Sequence, residues 1–183
     1  MNMIELRKVA DLVTSETWAR LKAHGRPSSV GGVEPPQDLY GLTFGELIKA
    51  QRIAEQNDVK AMCELLLGFN DEQYNRADAG EVMAFAYWVA KELEAIGKLF
   101  QGLNVKPTPE QIKAGIKELD FGLFGTLDWF CLRMGITHHD EAEDIPWVRF
   151  YECMKNDNKR AKYEQNLRKI YEQQSKQKRT SKR

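Results

Sequence analysis

The sequence predicts an all-α protein, a compact array of about seven to nine helices with a flexible basic C-terminal tail. Three observations favour this fold class: apolar residues recur in steps of three and four, capping residues precede these stretches, and no convincing β-type alternation follows the first few residues. The longest such stretch, 78–100, places on one helical face Val82, Phe85, Val89, Leu93, Ile96 and Phe100. We expect the central helix there, with Asp78 as N-cap and Glu81 completing a capping box.

The chain before this helix divides into an N-terminal part and a domain. Residues 1–25 are expected to form an N-terminal helical segment that carries Trp18. Residues 26–37 concentrate proline, glycine and serine, which predicts a linker. The helical domain is expected at 38–174, and residues 175–183, which contain no apolar side chain, are expected to be a disordered basic tail.

Residues 39–68 predict a helical hairpin. Thr43 and Glu46 have the spacing of a capping box at its start. Asp58 can cap a second helix after a break at Asn57, and Gly68 is a typical helix stop.

A further helix is predicted to begin beyond the central one, where Thr108 can cap and Pro109 takes the first helical position. Residues 121–125 predict a tight apolar turn that leads into a helix ending at Gly135. The remaining expected elements are an acidic loop at 138–144, a helix broken at 156–158, and a last helix at 159–174.

The bulk composition bounds the class of protein. A chain of 183 residues fits one domain, and a hydrophobic share of 42 % can build a core. No apolar run approaches the roughly 20 residues of a membrane span, and the charged residues near the start argue against a signal peptide. The three cysteines form no CxxC pair, which is typical of reduced thiols in a cytoplasm.

The formal net charge of zero conceals an asymmetry. Ten basic and two acidic residues lie between 158 and 183, so this end carries +8 and the remainder carries −8. Its Lys/Arg residues could neutralise phosphates, and the candidates for nucleic-acid contact are Arg168, Lys176, Lys178, Arg179, Lys182 and Arg183. An acidic body opposes such binding, so a merely solubilising tail is the favoured interpretation.

Enzymatic chemistry finds little support in the sequence. His138 and His139, followed by four carboxylates, contain metal-ligand types, yet adjacent histidines point apart in most backbones, so an acidic loop is the favoured interpretation. Asp128 fits a solvated helix position, and Cys131 and Cys153 have no histidine at a useful helical spacing. Phosphate-binding, nucleophile-elbow and dinucleotide motifs are missing. We expect no enzyme activity, cofactor or metal.

Large aromatic side chains are the third candidate feature. They are numerous for a small helical body, and some of them are candidates for a protein-docking surface. The candidates for partner binding are Trp18, Phe44, Phe121, Phe124 and Trp147. A well-filled core is the alternative, and it is favoured for Trp88 and Trp129.

The order of several short motifs resembles that of the tail assembly chaperones of long-tailed bacteriophages and prophages. Residues 38–48 (DLYGLTFGELI) resemble the opening helix of that family, and 106–115 (KPTPEQIKAG) resemble its "KPTPEE-x-x-AG" helix. The other matching pieces are LLLG at 65–68, FAYW at 85–88, FG at 124–125 and LD at 127–128. The resemblance covers about 38–171, while 129–139 and the stretch before Gly31 depart from it.

This resemblance implies a mostly helical, non-enzymatic protein in the cytoplasm of a bacterial host. Members of the family bind the tape-measure protein, keep its long hydrophobic helices in solution, recruit tail-tube subunits, and are absent from the finished particle. Self-association into a homo-oligomer is left open. An accessory protein that binds nucleic acid through its basic tail is the alternative function.

Overall fold

The computed structural model describes residues 3, 25–103, 107–119 and 121–180, without the side chains of 117, 119 and 176–180. Within these ranges it contains no strand, only two isolated β-bridges. The helices are α1 (Phe44–Glu55), α2 (Val59–Leu67), α3 (Asp71–Arg76), α4 (Ala79–Gln101), α5 (Pro109–Lys113), a 3-10 turn (Ile116–Leu119), α6 (Gly122–Met134), α7 (His139–Glu143) and α8 (Trp147–Thr180). The prediction of an all-α helical array is confirmed.

Helix α4 is the expected central helix, and its apolar face is buried. Asp78 caps it by accepting hydrogen bonds from the backbone N–H of Gly80 (2.8 Å) and Glu81 (3.1 Å). The predicted capping box is wrong in its second half. The Glu81 carboxylate instead accepts a hydrogen bond from the N–H of Gly31 at 2.9 Å, because the preceding segment passes over the start of α4.

The predicted hairpin of α1 and α2 is confirmed, including its local signals. Thr43 and Glu46 form the reciprocal capping box, with distances of 3.1 and 2.9 Å. Asn57 adopts φ +54° at the break, and the Asp58 side chain accepts from the N–H of Ala61. These short-range contacts depend only on neighbours in sequence, so the sequence alone could predict them.

Four large side chains from distant parts of the chain form the centre of the core. The Phe150 ring is fully buried and stacks on Phe44 (centroids 4.0 Å apart) and on Phe130 (3.6 Å). Trp147 is also fully buried, and its Nε1 donates to the carbonyl oxygen of Leu39 at 2.7 Å. The N-terminal half of α8 therefore fixes α1, α6 and the segment before α1 to one another.

The expected linker packs against this body. Val30 and Leu39 are fully buried, and Val30 and Val33 pair across a tight turn. Gly31, at φ +54°, lies so close to the Phe69 ring that a Cβ there would come within 3.2 Å of it. Burial of two aliphatic side chains thus attaches this Gly/Pro-rich stretch to the domain, whereas 1–24, apart from the buried Met3, lie outside the described residues.

The C-terminal half differs most from the expectations. The 121–125 segment is not a separate turn, because α6 already begins at Gly122. The break predicted at 156–158 is missing, and α8 runs unbroken for 34 residues, about 50 Å. Asp157 pairs with Arg133, and the Asn158 amide donates to the carbonyl oxygen of Leu103 (2.6 Å), so neither side chain competes for its own backbone.

Two further segments also depart from the predictions. The expected acidic loop contains a short helix, α7, and the helix that begins at Pro109 ends at Lys113, before Gly115 at φ +83°. At the C-terminal end, α8 continues through Thr180, into the segment expected to be disordered, and 181–183 lie outside the described residues.

Candidate functional site

The structure separates the five predicted partner-binding residues. Phe44 and Trp147 are core residues with 4 % and 0 % exposure, so the prediction that they contact a partner is wrong for this fold. Their rings are needed for the stack around Phe150 and for the attachment of Leu39. Phe121 and Phe124 are exposed by 66 % and 65 %, and Trp18 lies outside the described residues.

The outer side of α6 is an exposed apolar surface, which we call the α6 face: Phe121, Phe124, Trp129 and Leu132. Leu132 is 78 % exposed, more than any other large hydrophobic residue in the described ranges. At about 100° per residue, Leu132 lies opposite the core-facing Leu127 and Met134. Helix α6 therefore carries large apolar side chains on its outer side as well, around the exposed carboxylate of Asp128, which lies between Phe124 and Leu132.

A groove of about 360 Å³ lies between α6 and α8, beside the Phe121 and Trp129 side of this surface. Its lining comprises Phe121, Gly122, Gly125, Thr126, Trp129, Met154, Asp157 and Asn158. Phe121 stands at the N-terminal end of α6, and the next residue, Gly122, has φ +56°, which a side chain rarely permits. A Cβ at Gly125 would fall 2.6 Å from the Cβ of Phe121, so glycine is required for the observed position of that ring.

The polar wall of the groove is already neutralised. The Nη1 of Arg133 contacts both carboxylate oxygens of Asp157, at 2.6 and 2.7 Å. The same guanidinium lies 6.0 Å from the Trp129 ring centroid, and contact with the side chains of Cys153 and Asp157 raises the pKa of Arg133. A ligand of this groove would meet mainly apolar surface and a satisfied ion pair, which suits an apolar side chain from another protein.

Of the two histidines beside α6, His139 makes a packing contact, and His138 is exposed. The His139 ring packs edge-on against Phe124 with centroids 5.0 Å apart, and its Nε2 lies 3.9 Å from Asp128. The described residues contain no cluster of three His, Cys, Asp or Glu side chains that would hold a metal ion. Burial, together with the charges of Asp128 and Glu141, raises the pKa of the Cys131 thiol, which disfavours the nucleophilic thiolate.

Two residues of this surface stand outside the predicted partner-binding set. Trp129 is predicted to be a core residue, and it does pack against the buried core, while it also lines the groove. Leu132 was not considered, although it falls outside the inward-facing set of α6. That misfit to the stripe is the signal that could have identified it.

The predicted basic residues lie on or beyond the end of α8. Between 159 and 175, the part that we call the arm, every side chain is exposed except Gln165 and Leu167, which are partly exposed. Arg168 is an exposed arm residue. Lys176, Lys178 and Arg179 belong to the helix without described side chains, and Lys182 and Arg183 lie outside the described residues.

Comparison with known proteins found no match: no protein-family model, curated protein or solved structure is similar to this chain. Within the described ranges, none of the helices combines the length and the apolar character needed to cross a membrane.

Proposed function

We propose that this chain is a non-enzymatic tail assembly chaperone of a bacteriophage or prophage, which binds the tape-measure protein and tail-tube subunits in the host cytoplasm. The proposal rests on the order of the short sequence motifs and on one structural observation, the exposed α6 face. An apolar helix face beside a shallow groove suits an amphipathic helix of a partner, which is the kind of segment that a tape-measure protein would present.

The burial pattern supports binding by α6 over binding by the other aromatic residues. Phe121, Phe124 and Leu132 are each more than 60 % exposed, although each would bury a large apolar area against a partner. Aromatic anchors beside a groove are typical of the central residues of protein interfaces. Phe44 and Trp147 could contact a partner only if the core opened.

Co-expression with the tape-measure protein encoded nearby tests the proposal. We expect the tagged chain to capture that protein in the presence of nuclease. The double variant Phe121→Ser/Phe124→Ser should lose capture, while the control Ile112→Ser, which removes an exposed apolar residue from α5, should retain it. A gene neighbourhood without tail-tube and tape-measure genes, or equal capture by both variants, would contradict the proposal.

Nucleic-acid binding is the second candidate, and the exposed positive charge of the arm favours it. Residues 159–175 carry five basic residues, all exposed, and two acidic residues, and the sequence adds Lys176, Lys178 and Arg179. Binding through phosphates predicts a gel shift that weakens steeply as salt increases. The shift should be lost when Arg168, Lys176, Lys178 and Arg179 are replaced by glutamine.

A further inference from the structure

The exposed large hydrophobic residues are concentrated in two places. The described ranges contain eight of them, and all but Tyr40 lie either on the arm or in the region of α5 and α6. The arm carries Tyr163 (64 % exposed), Ile170 (49 %) and Tyr171 (60 %). The α5 and α6 region carries Ile112, Phe121, Phe124 and Leu132.

The apolar arm residues form a stripe that is not covered by the other residues that the structure describes. Tyr163, Leu167, Ile170 and Tyr171 follow the spacing of one helix face. Phe150 marks the side of α8 that faces the core. Around the helix axis, Tyr163 and Ile170 lie about 140° and 160° away from it, and Tyr171 about 60°. Because α8 is continuous from Trp147 to Thr180, the arm cannot fold back onto the groove at its own base.

The stretches of chain that carry the two surfaces have opposite net charges. Helix α6 itself is balanced by Asp128 and Arg133, and the acidic excess comes from its neighbours, among them α7, whose His139 contacts Phe124. Residues 107–144, which include α5, α6 and α7, contain eight acidic and three basic residues. Residues 159–180 contain eight basic and two acidic residues. Two arms packed side by side would bring like charges together, whereas an arm packed on the α6 region pairs opposite charges.

We propose that the arm of one copy docks on the α6 face of a second copy. The dimensions agree: Tyr163 to Tyr171 spans about 12 Å along the arm, and Phe121 to Leu132 spans about 16 Å along α6. A two-fold arrangement uses both arms and both faces, so that each copy contributes the same two surfaces. The dimer buries both exposed apolar clusters and neutralises the charge asymmetry of the chain.

This interface involves the surface of the proposed function but needs no tape-measure protein. The dimer is tested with the purified full-length chain alone. A monomeric protein would contradict the dimer but not the proposed function, whereas failure to capture the tape-measure protein would contradict the proposed function but not the dimer. When both proposals are correct, the arm and the tape-measure protein compete for the α6 face, so the dimer dissociates before it captures that protein.

Sedimentation velocity over a range of protein and salt concentrations is the first measurement. We expect the nuclease-treated protein to sediment at twice the monomer mass of 21.1 kDa, with dissociation promoted by high salt. Tyr163→Ser/Ile170→Ser and Phe121→Ser/Leu132→Ser should each return the mass to that of the monomer, while Tyr40→Ser, at an exposed large hydrophobic residue outside both clusters, stays dimeric. Circular dichroism confirms that each variant keeps its helices.

Photo-crosslinking identifies the contact independently of folding defects. Benzoylphenylalanine at position 163, in a mixture of ¹⁵N-labelled and unlabelled copies, should crosslink to the tryptic peptide 118–133, which Lys117 and Arg133 delimit. The proposal is overturned by a wild-type monomer at all concentrations, by crosslinks from arm to arm, or by a dimer that survives the α6 substitutions.

Discussion

Replacement of Phe150 by alanine tests the central claim about the core. The ring is fully buried and lies between Phe44 and Phe130, with centroid distances of 4.0 and 3.6 Å. Phe→Ala changes in cores cost about 3–5 kcal/mol, and each lost aromatic pair adds roughly 0.5–1.5 kcal/mol to simple area burial. We therefore expect a loss of about 4–5 kcal/mol, a large part of the roughly 5–15 kcal/mol that stabilises a domain.

Phe124→Ala is the matched control, because it removes the same ring from a side chain that is 65 % exposed. Its loss should stay below about 1 kcal/mol, since only a third of the ring is shielded, mainly by His139. With a urea m-value of about 2 kcal/mol/M, the midpoint should fall by about 2 M for Phe150→Ala and by less than about 0.5 M for Phe124→Ala.

Urea titration monitored by far-ultraviolet circular dichroism and by tryptophan fluorescence supplies both midpoints and checks for two-state behaviour. Should Phe150→Ala not fold, Phe150→Leu keeps most of the volume and should cost about 1.5 kcal/mol. Equal midpoint shifts for the Phe150 and Phe124 variants would refute the proposed stack as the centre of the core.

Three further perturbations have defined outcomes. Trp147→Phe removes the indole donor from the Leu39 carbonyl oxygen, which keeps only the longer hydrogen bond from the N–H of Leu42 (3.3 Å), so it should cost about 1 kcal/mol in urea unfolding. Tyr40→Phe, at a side chain that is 49 % exposed, is the control and should leave the midpoint unchanged. Asp78→Ala removes the N-cap of α4 and should cost about 1 kcal/mol by thermal unfolding, whereas Asp78→Asn retains most of the cap. Burial raises the pKa of the Cys63 thiol to about 12, above its unfolded value, so its contribution to stability is complete below about pH 8.5 and declines as pH rises towards 12. Unfolding measured across that range should show a smaller pH dependence for Cys63→Ala, and an unchanged slope would refute the assignment.

The N-cap of α4 has the opposite pH dependence to that of Cys63, because its stabilisation should be lost in acid. Burial of Asp78 disfavours its charge, but hydrogen bonds from the backbone N–H of Glu81 and Gly80 contribute to a pKa below the ordinary value. The stabilisation is therefore present above the ordinary aspartate pKa and is lost as pH falls through the lower value of the folded state. Asp78→Asn should remove this part of the acid sensitivity in the unfolding curves, and an identical acid profile for both proteins would contradict it.

Local signals in the sequence determined the helices of the first half. The capping box of Thr43 and Glu46, the break at Asn57 and the stop at Gly68 involve residues at most six positions apart, so no tertiary information was needed. The stripe of α4 was equally readable, because a helix buried along one face repeats its apolar residues with the helical period. The fold class follows from these signals.

Tertiary structure alone decided which aromatic residues are buried and that α8 continues through 156–158. Phe44 and Phe121 look alike in sequence, but only the approach of α8 encloses the first and leaves the second exposed. The polar residues at 156–158 resemble a helix stop until Arg133 and Leu103, distant in sequence, provide their partners. Burial and polar pairing depend on which distant segments meet, and a helical period specifies the face of a helix but not the surface that covers it.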